Sequence, residues 1–202
     1  MPRGNLETIH PRGLLLEHIK TLLNNKEYLE AFLVCRKNRL DLNLLIDYDH
    51  QSFVENIAVA LGQIENPEYI NLLIASMKDE NVTKTIYKNS FLYRGGEIDE
   101  QKGKVNLICD LIVSTLEKFD REKYLNSILT GLSKKSPPDL ENATKRILDI
   151  KEAKGADYAD DAIKYLIFLA DPNKLFDYAL GVYDLELVVM VAQNSQKVYY
   201  LI

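Results

Sequence analysis

Residues 10–37 read HPRGLLLEHIKTLLNNKEYLEAFLVCRK. Leu15, Ile19, Leu22 and Leu23 recur at three- and four-residue spacing, one apolar face of a helix that ends near Asn24. His10-Pro11 marks its start, because proline in a first turn lacks only an N–H that the helix would leave unpaired. Tyr28, Ala31, Phe32 and Cys35 give a second apolar face over 26–37. Two or three residues link the two, which leaves room only for an antiparallel hairpin. The segment Lys26 to Phe32 resembles the second half of a tetratricopeptide hairpin, while the full repeat consensus is absent.

The same period runs outward along the chain. A short helical turn is expected at 42–47. Phe53, Ile57, Ala60, Leu61 and Ile64 form one stripe, and Asn66-Pro67 reads as N-cap plus first-turn proline before Ile70, Leu73, Ile74 and Met77. Helices resume at Lys104 with Val105, Ile108, Ile112, Leu116 and Phe119, then Tyr124, Ile128, Leu129 and Leu132. Ser136-Pro137-Pro138 stops that helix and starts one lined by Leu140, Ala143, Ile147 and Leu148. After Gly155 come Ala162, Ile163, Leu166 and Ile167. Asp171-Pro172 then leads into Leu175, Phe176 and Ala179, and Gly181 closes that helix. Asp184 caps a last helix whose inward face is read as Leu185, Val188, Val189 and Ala192. No strand pair with turn chemistry interrupts the series. The expected fold is all-α, an α-solenoid of antiparallel helix hairpins with degenerate tetratricopeptide-like repeats. The expected organisation is hairpins over 1–78, a long connection with mobile parts over 79–103 carrying Gly95-Gly96 and Gly103, and hairpins again over 104–202. The apolar end Val198-Tyr199-Tyr200-Leu201-Ile202 leads one to expect more chain in a parent protein.

Composition narrows the function. The chain has 202 residues, 47% hydrophobic and 27% charged, enough apolar material for a folded core and too much for disorder. A net charge of −5 lacks the basic excess that phosphate binding needs. Cys35 and Cys109 fall in apolar helical runs and read as core residues in a reducing compartment. No run approaches the ~18 apolar residues of a membrane helix, and Met1 to Glu7 carries no apolar signal core. A cytoplasmic location, with a nuclear pool, is therefore expected.

The search for chemistry finds little. Asp47-Tyr48-Asp49-His50 offers metal-ligand types, but at spacings that do not converge, so a solvated turn or helix cap is the better reading. Gly95-Gly96 lacks the preceding strand and Lys-Ser/Thr ending of a phosphate cradle. Asp157, Asp160 and Asp161 sit at a helix start, where negative charge suits the dipole, and read as capping. Arg36, Lys37 and Arg39, and again Lys134 and Lys135, sit at helix C-termini, where cations suit the dipole; phosphate contact is the alternative. Ser136 and Ser195 lack a nucleophile's setting. Asn81-Val82-Thr83 matches a glycosylation sequon by chance. No catalytic residue, cofactor or metal is assigned. The one stretch without an evident packing role runs from Asn81 to Tyr87. Asn81, Val82, Thr83, Lys84 and Thr85 within it are read as a partner-binding loop.

Longer strings carry a resemblance. Pro2 to Glu7, Glu30-Ala31-Phe32 followed by Cys35-Arg36-Lys37, Asp79 to Thr85, and Val188 to Lys197 (VVMVAQNSQK) closely resemble, in order, the largest subunit of the Elongator complex, the IKAP family. The chain departs from that pattern after Lys197. The resemblance implies an internal solenoid segment of a large scaffold with N-terminal β-propellers. It implies no catalytic residues here. The complex modifies wobble uridines of tRNA at carbon 5, and its chemistry belongs to a partner subunit that joins a radical-SAM iron–sulfur domain to an acetyltransferase-like domain. The family's tRNA-contacting tract lies further C-terminal, so the resemblance assigns tRNA contact to the whole complex and homodimerisation to the full-length parent. A vesicle-coat or sorting-type α-solenoid adaptor is the alternative that composition alone allows.

Overall fold

A computed structural model describes residues 11–90, 103–181 and 183–194. The described residues form twelve α-helices and no strand. The all-α expectation holds, and α-solenoid hairpins are present: α1 with α2, α7 with α8, α9 with α10 and α11 with α12. The chain divides into two compact units, Met1–Ile64 with Glu80–Glu97, and Glu65–Asp79 with Ile98–Ile202.

The first unit starts with α1 (Arg12–Asn24) and α2 (Tyr28–Lys37). Tyr28, Ala31, Phe32 and Cys35 are buried as their spacing requires. In α1 the buried face is Leu16, Ile19, Leu22 and Leu23, so Leu16 takes the place expected for Leu15. The link is tight because Lys26 takes a left-handed φ of 61° and the Glu27 N–H returns to the Leu22 carbonyl at 2.9 Å. The short α3 (Leu44–Asp47) follows. The stripe from Phe53 to Ile64 is buried throughout, yet it is carried by two helices, α4 (His50–Glu55) and α5 (Ile57–Ile64). Asn56 separates them: its side chain donates to the Ser52 carbonyl at 2.7 Å and accepts from Lys26 Nζ at 2.9 Å. α5 packs on α2, and the Tyr28 and Phe53 rings meet edge to face with centroids 5.9 Å apart.

The second unit opens with α6 (Pro67–Ser76), which Asn66 caps by accepting from the Glu68 N–H at 2.8 Å. Then come α7 (Lys104–Asp120), α8 (Leu125–Lys134), α9 (Leu140–Lys154), α10 (Ala156–Leu169), α11 (Pro172–Gly181) and α12 (Leu185–Asn194). Each hairpin lies against the next: α8 touches α9 and α10, α9 touches α11, and α10 touches α12. Gly131 lets α7 and α8 approach closely, since a Cβ there would stand 2.9 Å from Val113 Cγ2. Asp171 and Asp184 accept helix-start N–H groups, from Asn173 at 2.9 Å and Leu187 at 3.0 Å. Three inward assignments fail. Phe119, Leu185 and Val189 are 44%, 80% and 46% exposed. α12 is apolar nearly all round, and its buried face is Leu187, Val188, Val191 and Ala192; periodicity cannot orient a helix with no polar side.

Candidate functional site

Residues 79–90 contain no helix of their own, and local polar chemistry shapes them. Asn81 Oδ1 accepts from the Thr83 N–H at 3.0 Å and the Thr83 hydroxyl at 2.6 Å, an Asx turn that bends the chain. The Lys84 N–H returns to the Asn81 carbonyl at 3.1 Å, and the Tyr87 N–H to the Val82 carbonyl at 2.9 Å. Thr85 Oγ1 lies 2.7 Å from Glu80 Oε1 and 3.2 Å from the Asn81 carbonyl.

Two long-range bonds hold this turn to α3 and to the link that precedes it. The Val82 N–H donates to Asp47 Oδ2 at 2.8 Å in a buried setting. The Tyr87 hydroxyl accepts from the Asp41 N–H at 3.1 Å. Val82, Thr83 and Tyr87 are buried, so packing accounts for three residues that the sequence left without a core role. Asn81 is half-buried. Lys84, Thr85 and Ile86 face solvent, Ile86 at 58% exposure. The structure thus brings Asn81, Val82, Thr83, Lys84 and Thr85 together as one anchored turn with a short exposed edge.

The other sequence candidates resolve into structural roles. Asp49 caps α4 by accepting from the Ser52 N–H at 2.9 Å. Asp47 and His50 are buried, so the solvated turn expected there is a packed one. Gly155, with φ of 96°, is the N-cap of α10. Asp157 stands in its first turn, while Asp160 bonds Lys164 Nζ at 2.6 Å and Asn194 Nδ2 at 2.7 Å instead of capping. Lys134 donates to the Ala75 carbonyl at 2.9 Å, and Lys135 pairs with Asp110 at 2.9 Å and Asp139 at 3.1 Å. Gly95-Gly96 and Ser195 lie outside the described residues. Cys35 and Cys109 are free and buried, and burial pushes both thiols up to about 12. Among the described residues no group of three or more His, Cys, Asp and Glu side chains could hold a metal ion. No helix there is long and apolar enough to cross a membrane.

Sequence reasoning missed the anchors of the turn. Asp47 and Tyr87 were both visible, but a contact 35 or 46 residues away leaves no mark on local periodicity.

Comparison with known proteins places this architecture. Residues 12–199 match the family described as ELP1 alpha-solenoid. The Xenopus laevis protein described as an elongator complex protein 1 is 42% identical over 200 residues, covering 98% of this chain and 17% of that protein. The Schizosaccharomyces pombe Elongator complex protein 1 is 40% identical, covering 98% of this chain and 16% of the relative. The Saccharomyces cerevisiae protein of the same name is 36% identical, covering 96% and 16%. The chain therefore spans about a sixth of the length of these relatives. With the family matched across every described helix, the chain belongs to the ELP1 alpha-solenoid family of Elongator complex protein 1.

Proposed function

We propose that this chain is a non-catalytic scaffold segment of an Elongator-type complex that modifies wobble uridines of tRNA at carbon 5. The family match over residues 12–199 carries the reading. The packed hairpins offer helix surfaces to partners, and a scaffold works by holding partners in fixed relation. The partners are the other subunits, including the radical-SAM and acetyltransferase-like catalytic subunit. Contact with tRNA belongs to the whole complex, and homodimerisation to the full-length parent. The assembly acts in the cytoplasm, with a nuclear pool. The vesicle-coat alternative has no observation in its favour.

Within the segment, the turn at Asn81–Thr85 is the proposed partner-binding element. Asn81 shapes it, Val82 and Thr83 fix it to the core, and Lys84 and Thr85 present its edge. The test is made in cells. Residues 12–194 are deleted from the gene, accumulation of the shortened product is verified, and 5-carbonylmethyl-type uridines in total tRNA are quantified by mass spectrometry. Loss of these nucleosides supports the scaffold role, and unchanged levels refute it. Alanine at Lys84 and Thr85, followed by co-purification, tests the turn separately.

A further inference from the structure

Asp47-Tyr48-Asp49-His50 carries the most site-like chemistry in the sequence, and the capping role of Asp49 uses only one of its two oxygens. Oδ1 accepts from the Ser52 N–H, and Oδ2 has no hydrogen bond among the described residues. The side chain borders a cavity of about 100 Å³ within the first unit, between the end of α1, the start of α2 and the segment of α3 and α4. Asn24, Tyr28, Tyr48, Asp49 and Ser52 bring side-chain oxygens to it. Leu23, Leu45 and Phe53 complete it with carbon. Asn24 is exposed and marks the side open to solvent, while the two tyrosines, the two leucines and Phe53 are buried. The Tyr48 hydroxyl donates to Asn24 Oδ1 at 3.1 Å, which ties the residue after α3 to the end of α1. Among the described residues that line the cavity, Asp49 is the one charged group.

Size and charge together select an occupant. A cavity of about 150 Å³ holds a benzene; the smaller volume here suits a few methylenes ending in a compact polar group. A carboxylate oxygen in a partly enclosed site calls for a cation, because charge-assisted hydrogen bonds are the strong ones. A guanidinium pairs best with both oxygens of a carboxylate at once, and the Ser52 N–H already holds one of them. An ammonium needs one oxygen, offers its other donors to hydroxyls, and brings a methylene stem that suits Leu23, Leu45 and Phe53. We infer that this cavity is a binding site for a lysine side chain presented by a partner protein, with Asp49 as its counter-charge. That the lysine belongs to a protein rests on the scaffold reading; its fit to the cavity does not.

The test uses the full chain, isotopically labelled, and follows the Tyr28, Asp49 and Ser52 amide resonances by NMR. The probe is acetyl-glycyl-lysyl-glycine amide. The same peptide acetylated at the lysine nitrogen, its arginine counterpart, butylammonium and inorganic phosphate are compared. The lysine peptide is expected to shift these resonances with a dissociation constant on the order of 10 mM, since few atoms make contact. The acetylated peptide should bind at least about tenfold more weakly. Asp49→Asn keeps an oxygen for the Ser52 N–H but loses the charge, and should weaken the lysine peptide by about tenfold. Asp157→Asn, exposed in the second unit, should leave its affinity within about twofold. Dispersion of the amide spectrum verifies folding of each variant; should Asp49→Asn not fold, the two lysine peptides on wild-type chain decide the matter. Absence of shifts at these amides, equal binding of the acetylated or arginine peptide, or phosphate shifting the same amides overturns the inference. So does a folded Asp49→Asn that binds as wild type does, or binding of butylammonium without the peptide, which makes the site one for free amines only. None of these failures alters tRNA nucleosides in the deletion test, so the scaffold reading stands or falls on that measurement.

Discussion

Asp47 shows how one side chain converts a loop into a fixed surface. Its carboxylate is wholly buried and accepts the Val82 N–H. Asp47→Ala leaves that N–H without its acceptor inside the core, a loss of about 1–3 kcal/mol. The expected result is a lower urea midpoint and faster hydrogen exchange at Val82. Asp47→Asn retains an oxygen acceptor and should fall between wild type and alanine. Exchange at Val82 as slow in the alanine variant as in wild type would refute the anchoring role. At this scale the sequence was half legible. Asn81 and Thr83 spell a turn locally, since short polar side chains reach their own backbone. The burial of Val82 was not legible, because its anchor lies in α3, 35 residues away.

Helix starts were the most legible elements. Asn66, Asp171 and Asp184 each sit next to the N–H groups they receive, so cap and helix are written together. The start of α7 is written elsewhere: the Val105 N–H goes to Asp79 Oδ1 at 3.1 Å, 26 residues back. The ends of α1 and α2 turn on Lys26 and Arg39 in left-handed conformations, positions where glycine would have marked the stop. The faces of α7 and α12 were misread only where a helix carries more apolar residues than its buried side needs. Element ends also carry the pH response of the second unit. The Lys151 ammonium, 2.8 and 3.0 Å from its oxygens, and the Leu187 N–H hold the Asp184 carboxyl below the usual carboxylate range. Lys164 and Asn194 do the same for Asp160. A carboxyl depressed in the folded state contributes stability above its unfolded value of about 4 and loses it as pH falls through the folded value. Stability of this unit should therefore drop below about pH 4. In urea melts from pH 5.5 to 3, Asp184→Asn, which keeps an acceptor for Leu187, should show a shallower decline. The gain is modest because Asp184 is partly exposed. An unchanged slope would remove Asp184 from the account.

At the scale of the whole molecule, hairpin chemistry predicted the fold class, while the grouping of hairpins into units depends on contacts that the sequence does not show. Each unit holds one free buried cysteine, Cys35 in the first and Cys109 in the second. These thiols report on their own surroundings. Burial, raising both to about 12, leaves on the order of one thiolate in ten thousand at pH 8, and reagent cannot reach either sulfur while its core is closed. Native chain should therefore resist iodoacetamide at both positions, and denatured chain should react at both. Phe32 lies in the same helix as Cys35 and is fully buried. Phe32→Ala opens a cavity there at a cost of about 3 kcal/mol or more, and should lower the urea midpoint for labelling Cys35 by about 1–2 M. Ile112→Ala, one turn from Cys109 on the buried face of α7, should lower the Cys109 midpoint by a smaller amount. Peptide mapping after labelling assigns each reaction to its cysteine. Labelling of either thiol in native chain, or a Cys35 midpoint indifferent to Phe32→Ala, would contradict a closed helical core around these cysteines.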